Sequence, residues 1–354
     1  MKRIVLFILL FLLAGQPLWA AGRAEIASLA RDPYLSALLL DADSGEVLFA
    51  DNPDAQIFPA SIVKLITLLV VLEQVEQGRL VLSEMVQITD EAARMGGSQV
   101  YLDPREQFPV EELLYALIVQ SANDAAIALA NHVAGSREAF VEMMNRTTAE
   151  LGMRNTRLYS PHGLPPAAGQ QPDVTTAHDL AILSRALVRR PEVLRFTSTV
   201  ERSFRDDNFI MRTHNHLLRQ VEGCDGLKTG YFKAAGFSIA ATAKRGGARV
   251  IAIVAGSADR KVRDAKAMEL LARGFTLLPA KPEISTAPVQ PAGATGSSSP
   301  APAAAPAPSA TEPVGQESPP ATLPADQDGG ASWSTFFLGV ATTLVIIALV
   351  AFWI

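Results

Sequence analysis

Apolar residues change their spacing several times along this chain, and each change marks a different structural regime. Residues 4–13 are continuously apolar behind Lys2 and Arg3, and small residues follow at Ala20 and Ala21. A basic start, a short apolar run and a small-residue exit are the layout of a secretory signal peptide, expected over residues 1–20. Between residues 36 and 51 two apolar runs flank Asp43-Ser44-Gly45, a hairpin pattern. Residues 62–72 carry a helical period with Ser61 at its start, and residues 111–133 read as two helices broken at Ser121-Ala122-Asn123-Asp124. Helical spacing continues over 138–151 and 176–189. Short β-type runs return at 226–230, 237–243 and 250–255, the last two joined by Lys244-Arg245-Gly246-Gly247, and a final helix is expected over 263–275. Strands, then helices, then strands predict an α+β domain over residues 24–280. Its antiparallel β-sheet is closed by both ends of the segment and flanked by helices, with an all-helical lobe inserted.

The chain changes character after residue 280. Residues 281–331 are rich in Pro, Ala and Ser and lack the apolar content to bury a core, so a disordered or polyproline-like linker is expected there. About 50 residues of such chain have a root-mean-square reach of about 40 Å, or about 150 Å fully extended. Residues 333–354 read WSTFFLGVATTLVIIALVAFWI, without a charged side chain. About 20 helical residues span about 30 Å, the thickness of a bilayer core, so one C-terminal transmembrane helix is expected. Retention of that helix and its removal as a sorting tail after Gly329-Gly330 both stay open. Together these ends predict a protein of the cell envelope, held at the inner (cytoplasmic) membrane with its globular part facing the periplasm.

Charge and cysteine content narrow the picture further. A formal net charge of −5, with Glu and Lys scattered, leaves no basic stripe for nucleic acid. The single cysteine, Cys224, excludes an internal disulfide and is expected as a small core residue.

Three short elements carry candidate chemistry. Ser61-Ile62-Val63-Lys64 is an S-x-x-K element, whose spacing of almost one helical turn puts the lysine amine on the same helix face as the serine hydroxyl. A lysine serves a serine nucleophile as base when burial or a second cation destabilises its ammonium. Alone, the element is more commonly a helix cap followed by a surface lysine. Ser121-Ala122-Asn123 puts a hydroxyl and an amide at a helix break, and alone it is an ordinary helix terminus. Lys228-Thr229-Gly230 lies on a short strand, where glycine would let a substrate backbone lie close and the strand edge could pair with a peptide. His214-Asn215-His216 has no third ligand at useful spacing, so no metal or cofactor is expected; it reads as part of a loop.

In this order, S-x-x-K, S-x-N and K-T-G are the signature set of penicillin-recognising serine enzymes. PASIVKLIT, QSANDAAIALA, YSPHGL, HNHLL and CDGLKTGYFKAAGF resemble stretches of the low-molecular-mass penicillin-binding proteins, the serine D-Ala-D-Ala carboxypeptidase (peptidase S11-like) family. The resemblance covers about residues 34–275 and implies a β-lactamase/transpeptidase-like fold. It also implies peptidoglycan stem peptides and β-lactams as partners, and hydrolysis of the terminal D-Ala-D-Ala bond through an acyl-enzyme. By resemblance Ser61 is the nucleophile, Lys64 its base, and Ser121 a proton relay to the departing D-alanine. Asn123 would hold the substrate amide, and the backbone N–H groups of Ser61 and Tyr231 would form the oxyanion hole. Lys228 and Thr229 would face the terminal carboxylate, with Arg263 helping to hold it.

The chain departs from the family pattern at Val63, Ala122 and Cys224, none of them a reacting group. A D,D-endopeptidase acting on crosslinks uses the same groups, and the sequence does not separate it from a carboxypeptidase. A β-lactamase would need a carboxylate loop between the second and third motifs, which SPHGLPPAAGQQPDVTTAHDL lacks. A non-catalytic wall-binding module would have no need of all three motifs' reacting side chains.

Overall fold

A computed structural model describes residues 26–278; the expectations for residues 1–20, 281–331 and 333–354 lie outside the described residues. The chain enters through β1 (Ser36–Asp41) and β2 (Val47–Asp51), then a 3-10 turn (Ala60–Val63) that runs straight into α1 (Lys64–Glu76). A helical section follows: β3 (Met85–Gln87), α2 (Asp90–Ala93), β4 (Gln107–Pro109), α3 (Val110–Tyr115), a π-helical turn (Ala116–Gln120), α4 (Asn123–Ala134) and α5 (Arg137–Glu150). After it come α6 (Ala177–Val188), α7 (Pro191–Thr197), β5 (Glu201–Phe204), β6 (Phe209–Arg212) and α8 (Leu217–Gln220). Three long strands and a helix complete the described chain: β7 (Cys224–Phe232), β8 (Gly236–Arg245), β9 (Ala248–Ser257) and α9 (Arg260–Leu277).

The main sheet has five strands in the order β2-β1-β9-β8-β7, antiparallel at every pairing. The first two strands and the last three therefore close one sheet from opposite ends of the sequence, as the alternation of elements predicts. Alternation inside the strands explains the layers. In β9, Val250, Ala252 and Val254 join Ala37, Leu39, Ile239 and Ala241 in a core shared with Ala267, Leu270 and Leu271 of α9. Ile251, Ile253 and Ala255 point the other way, with Leu38, Leu40 and Ala240, into the larger core that contains α1, α3 and α4. Burial on both faces is why these strands read as continuous apolar runs. Gly274 seats α9 on the sheet, since a Cβ there would meet Val250 Cγ1 at 2.7 Å.

Several boundaries differ from the sequence reading. The last helix begins at Arg260 rather than residue 263, because Asp259 caps it by accepting from the N–H groups of Lys261 (2.6 Å) and Val262 (3.1 Å). Arg263 therefore lies inside the helix. Two small two-stranded antiparallel sheets, β3–β4 around α2 and the hairpin β5–β6, add to the expected elements. Cys224 is half-buried at the start of β7 rather than a fully enclosed core residue. Among the described residues, no helix is long and apolar enough to cross a membrane.

Candidate active site

Ser61 owes its position to a turn that the surrounding loops compress. Ala60, just before it, sits at φ 48°, an uncommon conformation for a residue with a side chain. Gly230 of β7 presses on this turn: a Cβ at Gly230 would lie 2.4 Å from Pro59 O and 3.2 Å from Ala60 Cβ. This revises the expected use of that glycine. Its Cβ direction is filled by the turn carrying Ser61. Gly163 presses from another direction at φ +77°, where a Cβ would come within 2.0 Å of Ala60 O.

Lys64 is fully buried one turn along from Ser61. Its Nζ lies 3.0 Å from Ser61 Oγ, 2.7 Å from Asn123 Oδ1 and 2.8 Å from His162 O. A neutral amine has two N–H donors and one lone pair. The two oxygens that are acceptors only take the two donors, and the lone pair is left for the Ser61 hydroxyl. Burial first, and then the nearby Lys228 cation, hold this amine well below the ordinary lysine range, against the weaker pull of Asp124 and Asp173.

The second element is held at the join of two helices. The π-helical turn ends at Ser121, which adopts a left-handed conformation (φ 60°, ψ 33°) and is almost wholly buried. Ala122 N–H reaches back to Ala116 O at 3.0 Å, and α4 starts at Asn123. Asn123 is clamped on three sides: its N–H donates to Ser98 O (2.8 Å), its Nδ2 to Gly96 O (2.8 Å), and its Oδ1 faces Lys64. Asp124 then ties the helix start to a loop by accepting from the N–H groups of Val100 (3.1 Å) and Leu102 (3.1 Å).

Lys228, Thr229, Gly230 and Tyr231 follow one another on β7, the last strand of the sheet, whose free edge faces this region. Lys228 is buried, and burial with the Arg263 cation beside it brings its amine down to about 7. Arg263 is also buried, donating to Asp264 Oδ1 (2.6 Å from Nη2) and to Ser238 O (3.2 Å from Nη1). Tyr231 is 54% exposed and stacks on Phe237 with ring centroids 4.1 Å apart.

A cleft of about 280 Å³ gathers Ser61, Ser121, Thr229, Gly230, Tyr231 and Arg263 along its wall. Lys64, Asn123 and Lys228 stand buried behind it. All nine residues singled out from the sequence thus converge on one place. Ser98, His214, His216, Phe237 and Arg260 line the same cleft and were not assigned to it. The two histidines belong to His214-Asn215-His216, whose sequence alone reads as part of a loop. The His162 carbonyl on Lys64 had no sequence signal at all, because any residue type supplies a carbonyl.

Residues 29–259 match the family model described as D-alanyl-D-alanine carboxypeptidase, peptidase S11. The chain belongs to that carboxypeptidase family. It is 36% identical over 244 residues to the D-alanyl-D-alanine carboxypeptidase DacF of Bacillus subtilis, covering 68% of this chain and 62% of that one. With DacC of Escherichia coli it shares 36% identity over 258 residues, 70% of this chain and 63% of that one. The chain thus spans about three fifths of the length of these curated carboxypeptidases. Among solved structures, penicillin-binding protein 6B of Escherichia coli superposes with a TM-score of 0.63 at 33% identity, covering 71% of this chain and 81% of that one. Penicillin-binding protein D2 of Listeria monocytogenes, solved in an ampicillin-bound form, gives 0.63 at 32% identity, covering 69% and 97%. The carboxypeptidase family fold is accordingly the penicillin-binding, transpeptidase-like one, with its antiparallel sheet and helices as described above.

Proposed function

We propose that this chain is a serine D,D-carboxypeptidase that removes the terminal D-alanine of peptidoglycan stem peptides and is acylated by penicillins. The observation that carries the reading is the buried, neutral-leaning Lys64 amine 3.0 Å from the half-buried Ser61 hydroxyl. Ser61 Oγ attacks the carbonyl of the penultimate D-alanine while its proton passes to Lys64. The backbone N–H groups of Ser61 and Tyr231 stabilise the oxyanion. Ser121 relays a proton to the departing amine, and D-alanine leaves. Water then attacks the ester carbonyl, its proton returns through Lys64, and Ser61 is restored with the shortened peptide released. Asn123 positions the substrate amide, and Lys228, Thr229 and Arg263 receive the terminal carboxylate. The same attack on a β-lactam carbonyl opens the ring and retains the leaving amine, leaving a persistent acyl-enzyme.

The reading extends to where the enzyme works. Residues 1–20 act as an export signal, residues 281–331 as a linker and residues 333–354 as a membrane span, supported by their charge and apolar pattern. On this reading the catalytic domain works outside the inner membrane, on its periplasmic side, as a tethered hydrolase of cell-wall synthesis.

Labelled penicillin tests the nucleophile. Wild type is expected to take one covalent label and Ser61→Ala none; persistent labelling of that variant would remove Ser61 from the role. Incubation with muropeptides then separates products. Free D-alanine supports the carboxypeptidase, whereas split crosslinks without D-alanine would replace it with an endopeptidase.

A further inference from the structure

The proposed reaction leaves the Asp173 carboxylate without a task, although it is buried close enough to act on Lys64. A buried carboxylate is costly unless hydrogen bonds satisfy it, and here three donors do so. Tyr159 N–H (2.6 Å) and Ser160 N–H (3.0 Å) meet Oδ1, and the Ser160 hydroxyl (2.7 Å) meets Oδ2. All three come from one short loop, residues 159–164.

That loop touches the reacting pair in two ways. The carbonyls of Pro161 and His162 rest on one face of α1, accepting from Thr67 Oγ1 (2.8 Å) and Lys64 Nζ (2.8 Å), three residues apart on the helix. The Ser160 Oγ that donates to Asp173 also accepts from Gly163 N–H at 2.8 Å. Gly163 is the residue packed directly against the Ala60 carbonyl and the Ser61 nitrogen. Asp173 is itself anchored, because the next two residues pair with both neighbouring segments. Val174 exchanges backbone hydrogen bonds with Arg157 (3.0 and 2.9 Å), and Thr175 with Ile57 (2.9 and 3.0 Å). One strut therefore links the loop behind Lys64 to the segment leading to Ser61.

We propose that Asp173 is a positioning residue for acylation, fixing residues 159–164 so that the His162 carbonyl orients the Lys64 amine and Gly163 holds the Ser61 turn. This role rests on the reading of Ser61 as nucleophile and Lys64 as its base. Aspartate suits the position because two oxygens accept from three donors in directions that splay around the loop. Asparagine keeps one accepting oxygen, and alanine keeps none.

The test uses the full chain, labelled penicillin and a D-Ala-D-Ala peptide. Asp173→Ala is expected to lower the acylation rate at saturating penicillin by about 10- to 100-fold, the scale of a small misplacement of reacting groups, with KM for the peptide nearly unchanged. Asp173→Asn should recover most of that loss. Ser160→Ala, which removes the hydroxyl's bonds to Asp173 Oδ2 and Gly163 N–H but leaves both backbone bonds to Asp173, should give an intermediate loss, and the double variant should be no slower than Asp173→Ala alone. Should Asp173→Ala fail to fold, Asp173→Asn and Ser160→Ala carry the comparison. Acylation at wild-type rate in Asp173→Ala or Ser160→Ala overturns the role. So does a loss that only tracks the folded fraction in thermal melts. A wild-type chain that takes no label overturns the serine reading itself, and the positioning role with it.

Discussion

At Lys64 one side chain is either a base or a buried ion, and its surroundings favour the base that the proposed mechanism needs. Burial and the Lys228 cation both disfavour the ammonium, while two oxygen acceptors fix the amine without requiring a charge. Lys64→Arg is therefore as instructive as Lys64→Ala. Arginine keeps a cation near the serine but cannot give up its proton, so both variants should acylate about 100- to 10,000-fold more slowly, the usual worth of a positioned base. Wild-type labelling rates in Lys64→Arg would put the base elsewhere. In the proposed mechanism Lys228 has the opposite requirement, since it must stay charged to receive a carboxylate. With its amine near 7, it carries that charge below this pH and loses it above. The acid limb of kcat/KM should thus report Lys64 losing its proton, well below the ordinary lysine range, and the alkaline limb Lys228 near pH 7. A bound carboxylate favours the Lys228 cation, so the alkaline limb of kcat should lie higher than that of kcat/KM. Lys228→Arg should remove the alkaline limb; an unmoved limb in that variant would assign it to another group.

Between elements, the site depends on close approaches that side chains would block. Gly230→Ala puts a methyl into the Pro59 carbonyl, on backbone that has little freedom to yield. The expected cost is about 1–3 kcal/mol of stability, as for other overpacked sites, together with slower acylation because the Ser61 turn is the part displaced. Thermal melts and labelling rates measured on the same sample check both effects; unchanged acylation with a lowered Tm would uncouple the strand from the nucleophile. Element by element, legibility follows from how much of the signal is local. β1, β8 and β9 are visible in the sequence because burial on both faces leaves long apolar runs, and the Ser61–Lys64 pair because helical spacing is fixed. β3 buries only Val86 and has three residues, too few to show a period. The break at Ser121 is legible as a break, but its π-turn depends on tertiary contacts. Asp173 gave no local sign, since its partners lie on a loop more than ten residues earlier and act largely through backbone groups.

For the whole molecule, the sheet closes from both ends of the sequence, so the catalytic unit has no internal point at which it can be divided. β1 pairs with β9 across more than 200 residues, and α9 seals the outer face of both. The boundary that matters is therefore after α9 and not before it. A chain ending at Ala280 keeps every residue of the cleft and both cores, and should be released as a soluble domain with wild-type penicillin acylation and melting temperature. A chain ending at Ser257 keeps Ser61, Lys64 and the K-T-G strand but exposes Ala37, Leu39, Val250 and Val254 to water. Loss of the buried Leu270 and Leu271 contacts alone corresponds to about 2–5 kcal/mol each, comparable with the about 5–15 kcal/mol that holds a typical domain together. That chain should not yield folded, labelled protein, and it also lacks Arg263, the proposed carboxylate partner. The pair of truncations therefore separates a catalytic unit that ends with α9 from one that needs the following segment. Failure of the longer chain to hydrolyse a small D-Ala-D-Ala peptide would show that residues beyond Ala280 take part in the chemistry itself, not only in placing the enzyme.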